Sequence, residues 1–394
     1  MSRLSFSWLD RAPPLRWVFG LGLCLLLLAL DLWQRAPLPA APRAAWPLTA
    51  AETPGRTLVA RGGGLIPMPP DTPAAHSSAL LPLPADQKVA LMAFWFAGTR
   101  ESAPDVQIAC SQFDRASQQW SPASFVVNRR IGWQKLGFAL RRLGNPVAWR
   151  DAQGRVHLFV VATGLGGWAA GRILHLRQSK AGSDCSRLAF QPMGVLPLSW
   201  LWNTSHLVRA VPLALADGGM VLPVYFELGL KYPVALRFNA QGDFIEMVRM
   251  SHRGHLLQPT LLARGEQDWL ALLRDNGAER KIHAVQTLDG GRHWQDLPDL
   301  NMPNPDASVV GLALQPGLMF LAHNPRPESR TELDLSVSSD GLQWTRLMTL
   351  ASGAAGSEYS YPSMAWADGS LWVSYTDQRR AIAWQRFALA AAAR

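Results

Sequence analysis

Six short apolar runs punctuate the chain, each entered through a turn of polar residues or glycine. They are Val89 to Phe96 after Asp86, Val156 to Ala162 after Gly154, Met220 to Phe226 after Gly218, Trp269 to Leu273 after Glu266, Leu318 to Ala322 after Gly317, and Leu371 to Tyr375 after Gly369. Each has the length and turn punctuation of a buried β-strand, and recurrence at about 50 to 70 residues means that one supersecondary unit is being repeated. A second motif precedes every run. It opens on a polar residue and leads into another short strand: His76-Ser77-Ser78-Ala79-Leu80, Asn145-Pro146-Val147, His206-Leu207-Val208-Arg209, Gln258-Pro259-Thr260-Leu261, Asn304-Pro305-Asp306, and Tyr361-Pro362-Ser363-Met364. A unit this small cannot bury its own sheet faces, so six copies predict six sheets packed side by side.

Two polar turns closed by tryptophan support this. Thr287-Leu288-Asp289-Gly290-Gly291-Arg292-His293-Trp294 is repeated, one residue shorter, as Ser338-Ser339-Asp340-Gly341-Leu342-Gln343-Trp344. Hydroxyl and carboxylate side chains bond nearby backbone N–H groups, glycine accepts positive φ, and the tryptophan anchors the hairpin in an apolar seam. The predicted fold is therefore all-β, a six-bladed β-propeller, preceded by an N-terminal hydrophobic helix.

That helix is predicted from the apolar stretch Trp17 to Leu30, which follows Arg3, Arg11 and Arg16 and gives way to Asp31 and then to Pro and Ala. It reads as an export signal or a membrane anchor, with the basic flank keeping the rest of the chain outside the cytoplasm. Three regions are expected: a signal peptide or anchor over 1–35, a Pro/Ala-rich stalk over 36–70, and the propeller over 71–394. The protein would be exported, periplasmic or at the cell surface, either secreted or held at the membrane by the helix.

Composition changes this picture little. Hydrophobic residues make up 48% of the 394 and charged residues 17%, which excludes a disordered chain. Seventeen tryptophans suit packing between blades, with some free to stack on sugar. The net charge of +9 is dispersed, with no Lys/Arg run that would suggest nucleic acid, and it suits an anionic substrate or plain solubility. Of the three cysteines, Cys24 lies in the apolar stretch, so a disulfide can form only between Cys110 and Cys185, if that part is exported.

In a four-stranded antiparallel blade the start of the first strand and the end of the second share one rim, opposite the turn between the third and fourth. That rim should collect His76, Asn145, His206, Arg209, Gln258, Asn304, Asp306 and Tyr361 from strand openings. From strand ends it should collect Arg100, Glu101, Asp105, Glu227, Arg274, His323, Asn324 and Arg330. Arg274 and Arg330 offer planar forks for a carboxylate. Tyr361, in Glu358-Tyr359-Ser360-Tyr361-Pro362, is a candidate nucleophile with a carboxylate near it, and Asp105 sits on a loop suited to a general acid. No cofactor is required, and no metal is expected, because His76, His206 and His323 fall on separate units without ligand spacing.

The two Trp-closed turns resemble the Asp box of sialidases and other BNR-repeat propellers, and the motif order from about 70 to 390 is similar to that superfamily. The resemblance implies that Asp105 is the acid/base, that Arg274 and Arg330 belong to a carboxylate-binding triad, and that Tyr361 attacks the anomeric carbon. A tyrosine nucleophile is the exception to the two-carboxylate scheme of glycosidases. The chain departs from the family at two positions: it has Ala75-His76-Ser77-Ser78 where the first triad arginine is expected, and Gln258 where a glutamate is expected. Glu227 or Glu358 would then serve as base, with His76, Arg209, Gln258, Asn324 and Arg100 also facing substrate.

Three readings stay open. The chain is a sialidase-like glycoside hydrolase acting on acidic glycans of sialic-acid or uronic-acid type, a non-catalytic propeller binding a glycan, exopolysaccharide or envelope protein, or a polysaccharide lyase on the same fold.

Overall fold

A computed structural model describes residues 13–34, 40–48, 54–131, 138–180 and 182–391. The chain divides into two compact units, 1–41 and 42–394. In the first, the apolar stretch forms a helix over Pro13–Gln34. No helix among the described residues is long and apolar enough to cross a membrane. Arg3 and Arg11, the expected basic flank, lie outside the described residues.

The second unit is six antiparallel sheets. Their innermost strands are Ala74–Pro82, Arg142–Arg150, His206–Val208, Leu256–Ala263, Val310–Gln315 and Tyr359–Ala367. The six apolar runs are the next strands out: Val89–Gly98, Val156–Thr163, Met220–Phe226, Trp269–Asp275, Leu318–His323 and Ser370–Asp377. They are apolar on both faces because both faces are buried. In the fourth blade Trp269, Ala271 and Leu273 pack toward the third, while Leu270 and Leu272 pack toward the fifth. The same partition gives one apolar seam for each pair of neighbouring blades. At about 25 cal/mol per Å2 of apolar surface removed from water, these seams are the main favourable term holding the ring together.

The expected stalk over 36–70 is corrected by the strand Pro54–Leu65. It pairs antiparallel with Ala381–Ala391 and completes the sixth blade, whose order is completed from both ends of the unit. The consecutive glycines Gly62, Gly63 and Gly64 let it lie against Trp384, whose ring a Cβ on Gly62 would meet at 3.3 Å. Upstream, Trp46 packs against the apolar seams on both sides of the fourth blade and donates from Nε1 to the Ala263 carbonyl at 3.1 Å.

Those turns share one hydrogen-bond scheme. Asp289 Oδ1 accepts from the N–H groups of Arg292 and His293, as Asp340 Oδ1 does from Leu342 and Gln343. Trp294 and Trp344 each donate to a glycine carbonyl, of Gly291 and Gly341. The extra residue of the first turn is Gly290, which joins Gly291 at positive φ.

At the other rim, the inner strands bend. Four carry a bulge, between His76 and Ala79, Gly144 and Val147, Leu257 and Thr260, and Ser360 and Ser363. In each the extra residue takes a left-handed φ: Ser77, Asn145, Gln258 and Tyr361; in the remaining two blades Ser205 and Asp306 do so just ahead of the strand. A non-glycine residue in this region costs roughly 1–3 kcal/mol, and such strain gathers where a side chain must be aimed.

The Cys110–Cys185 disulfide is formed, joining the first blade to a loop of the second.

Candidate active site

At this rim side chains from five blades come together. Tyr361 presents its hydroxyl to Arg274, whose Nη1 lies 3.4 Å away. The same Nη1 donates to Gln258 Oε1 at 3.1 Å, and Arg274 Nε donates to Asp306 Oδ1 at 2.6 Å. Gln258 Nε2 reaches the Tyr225 hydroxyl at 3.3 Å. His76 packs on the Tyr361 ring with centroids 4.2 Å apart, and neither of its ring nitrogens has a hydrogen-bond partner.

A second arginine cluster adjoins the first. Arg330 Nη1 donates to Glu358 Oε1 at 3.1 Å, and its Nη2 makes a close bond to the Asp306 carbonyl. Arg379 donates from Nε to Glu358 Oε2 at 2.7 Å and bonds Glu101. Arg274 thus contacts the Tyr361 hydroxyl, Arg330 and Arg379 lie near enough for their charges to act on it, and the three guanidinium groups pair with the carboxylates of Asp306, Glu358 and Glu101.

Electrostatics follow from this arrangement. Burial alone would raise the Tyr361 phenol, but Arg274, Arg330 and a bond from Gln258 outweigh it and hold the pKa below the ordinary tyrosine value. Burial also opposes ionisation of Glu358, yet bonds from Arg379 and Ser360 and the charge of Arg330 depress it to about 2. Glu227 is raised by burial despite Arg274 and Lys231. His76 is held well below its usual value by burial and the nearby Arg379, so its imidazole is neutral. A phenol surrounded by cations ionises more readily than one in water, which suits a nucleophile or a proton-transfer group.

The structure distributes the expected residues unevenly. Tyr361, Arg274, Arg330, Gln258, His76 and Glu358 come together. Neither Glu227 nor Glu358 hydrogen-bonds Tyr361 among the described contacts, and Glu358 is engaged by two arginines instead. Arg209 is only 2% exposed; it lies beneath the Tyr361 ring and donates to the carbonyls of Pro362, at 2.6 Å, and Ser78. It supports the site from below instead of facing substrate. Asn324 is fully buried and spends its amide on the carbonyls of Glu332 and Tyr359. Asp105 accepts two bonds from Thr99, each 2.9 Å, and lines a surface cleft with Asn128, Arg129 and Arg130. Arg100 borders a crevice with His76, Glu101 and Arg379.

Arg379 and Tyr225 were not anticipated. Arg379 follows the end of the sixth blade's second strand, the same kind of position that singled out Arg274, so the pattern could have found it. Tyr225 lies inside an apolar run and reads as core. A cavity of about 340 Å3 at the opposite mouth, lined by Trp46, Leu213, Leu261, Leu312 and Trp366 among others, presents no ionisable side chain and offers none of this chemistry.

A family model described as a BNR repeat-like domain matches residues 89–373. No curated protein matches the sequence. Among solved structures, the Hadza microbial sialidase Hz136 superposes with a TM-score of 0.64 at 14% identity, covering 83% of this chain and 68% of that one. Trypanosoma rangeli sialidase gives 0.64 at 13% identity, covering 85% of this chain but 60% of its own length. A protein of unknown function from Dyadobacter fermentans gives 0.65 at 11% identity, with 84% and 99% covered. At these identities the likeness is one of fold.

Proposed function

The chain belongs to the family of BNR repeat-like domains, and from that premise we propose that its axial site binds an acidic sugar of a glycan and acts on it through Tyr361. The observation that carries this reading is the Tyr361 hydroxyl 3.4 Å from Arg274 Nη1, among guanidinium groups that favour its ionised form. Arg274, Arg330 and Arg379 would face the sugar carboxylate, and Tyr361 would attack the anomeric carbon as in a sialidase-type hydrolase. Trp200 and Trp202, on the loop entering the third blade and 95% and 60% exposed, would stack on neighbouring sugar rings. The Cys110–Cys185 bridge supports an exported location, since such bonds persist in oxidising compartments. The helix over Pro13–Gln34 would serve as an export signal.

A second reading, a glycan-binding propeller without turnover, is favoured by Gln258, which cannot act as a base, and by arginines already paired with Asp306 and Glu358. The full-length protein, incubated with sialosides, uronides and acidic polysaccharides, separates the two. Hydrolysis gives a released sugar, and Tyr361→Phe should lower its rate at least about 100-fold without changing the melting temperature. Glycan affinity that falls in Arg274→Ala, with no product from any substrate, overturns the enzymatic reading in favour of binding. An unsaturated product absorbing in the ultraviolet reassigns Tyr361 to β-elimination.

A further inference from the structure

A separate cluster lies in the fourth blade. His255 precedes its inner strand, Asp275 ends the second strand, and His283 begins the third, His283–Thr287. The ligand atoms of these three side chains all lie within 4.8 Å of one another. Asp275 Oδ1 is 3.6 Å from His283 Nε2 and 3.9 Å from His255 Nε2. Atoms bound to one tetrahedral zinc ion lie roughly 3–4 Å apart, so a modest inward movement would seat a cation between them.

Two atoms here lack an ordinary partner. Asp275 and His283 are 0% and 1% exposed, and Asp275 Oδ2 and His283 Nε2 make no hydrogen bond. Leaving buried polar groups unpaired is unfavourable, and a bound cation would relieve that cost. His283 is held from behind through its other ring nitrogen. Its Nδ1 lies 2.6 Å from Asp299 Oδ1, and Arg253 Nη1 reaches that carboxylate at 2.5 Å. Arg253 Nη1 also lies 2.6 Å from Nδ1. Nδ1 thus lies between a carboxylate that only accepts and a guanidinium that only donates; with the proton on Nδ1 and donated to Asp299 as a hydrogen bond, the Nε2 lone pair is left to face Asp275. A carboxylate behind a ligating histidine is the usual support of a metal-binding imidazole. Glu279 and Asp299 also gather ligand atoms around His283, but Arg253 already supplies the positive charge on that side.

We propose that His255, Asp275 and His283 bind a divalent transition metal of the zinc class, with Asp299 orienting His283. Two imidazoles and one carboxylate exclude the all-oxygen preference of calcium and magnesium. The half-exposed His255 gives an entry path and leaves a further coordination position for water. The ion would tie three strands of one sheet at the rim that carries Gln258 and Arg274, the latter adjacent in sequence to Asp275. This assignment is independent of what the axial site does. The sequence concealed it because the three residues share no short spacing; hairpins bring them together.

The test uses the full-length protein, stripped with chelator and titrated with zinc in competition with a chromophoric chelator. One ion per chain should bind, and cobalt should give the visible absorption of a low-symmetry site. His255→Ala, a partly exposed change that leaves the fold intact by circular dichroism, should weaken zinc at least tenfold and abolish any zinc-dependent rise in melting temperature. Asp299→Asn should weaken it about 10–100-fold. Failure of the stripped protein to take up zinc, or equal affinity in His255→Ala, overturns the proposal and leaves a plain Asp–His pair.

Discussion

The guanidinium carbon of Arg209 lies 5.0 Å from the centroid of the Tyr361 ring. These residues come from the third and sixth blades, and Arg209 also reaches the first through the Ser78 carbonyl. One buried cation thus sets the height of the candidate nucleophile across the axis. Its own pKa is lowered to about 10 by burial, which still leaves it charged at neutral pH.

Arg209→Met should remove that support. It leaves the Pro362 carbonyl without its donor, and urea denaturation should show a loss of about 1–3 kcal/mol. Arg209→Lys should not restore it, because one ammonium cannot span both carbonyls and the ring face.

Gln258 faces Arg274 and the Tyr361–Tyr225 pair, where a carboxylate would complete a tyrosine–base couple. If Tyr361 is a nucleophile, Gln258→Glu should raise release from a fluorogenic sialoside by at least about tenfold. No release by either protein would agree with binding alone.

Glu358 gives a defined pH dependence. Its folded pKa is about 2 against an ordinary 4.5, so the ionised form is preferred in the native state. Its contribution is complete above about 4.5 and is lost as pH falls toward 2. Melting temperature should fall through this window, and Glu358→Gln should flatten the slope while lowering stability at neutral pH.

The Cys110–Cys185 bridge closes a separation of 75 residues. Cys185→Ser should cost about 2–5 kcal/mol in chemical denaturation, and a reducing agent should affect only the parent protein.

The six-fold architecture was legible because second strands buried on both faces read as unbroken apolar runs, and because the Asp289 and Asp340 turns carry their own hydrogen-bonding chemistry. The clustering of Tyr361, Arg274, Arg330 and Gln258 followed from that register. The fates of Arg209 and Asn324 did not, since sequence places a residue at a rim without saying whether it points outward or underpins a neighbour. Glycines 62–64 hid a strand inside what reads as a flexible stretch, and its partner lies more than 300 residues away. Arg379 was missed although its position after a strand end matched the rule that found Arg274.

Because Pro54–Leu65 completes the sheet built by Tyr359–Ala391, the circle has a clasp made from its two ends. Pro54–Leu65 must wait until Ala381–Ala391 has been synthesised before it has a neighbour, so the sixth blade cannot be completed on a chain that stops short of it. Pulling on or removing Pro54–Leu65 should open the sixth blade first, beside Tyr361, Glu358 and Arg379, and the arginine–tyrosine cluster at the axis would be lost before the other five blades come apart.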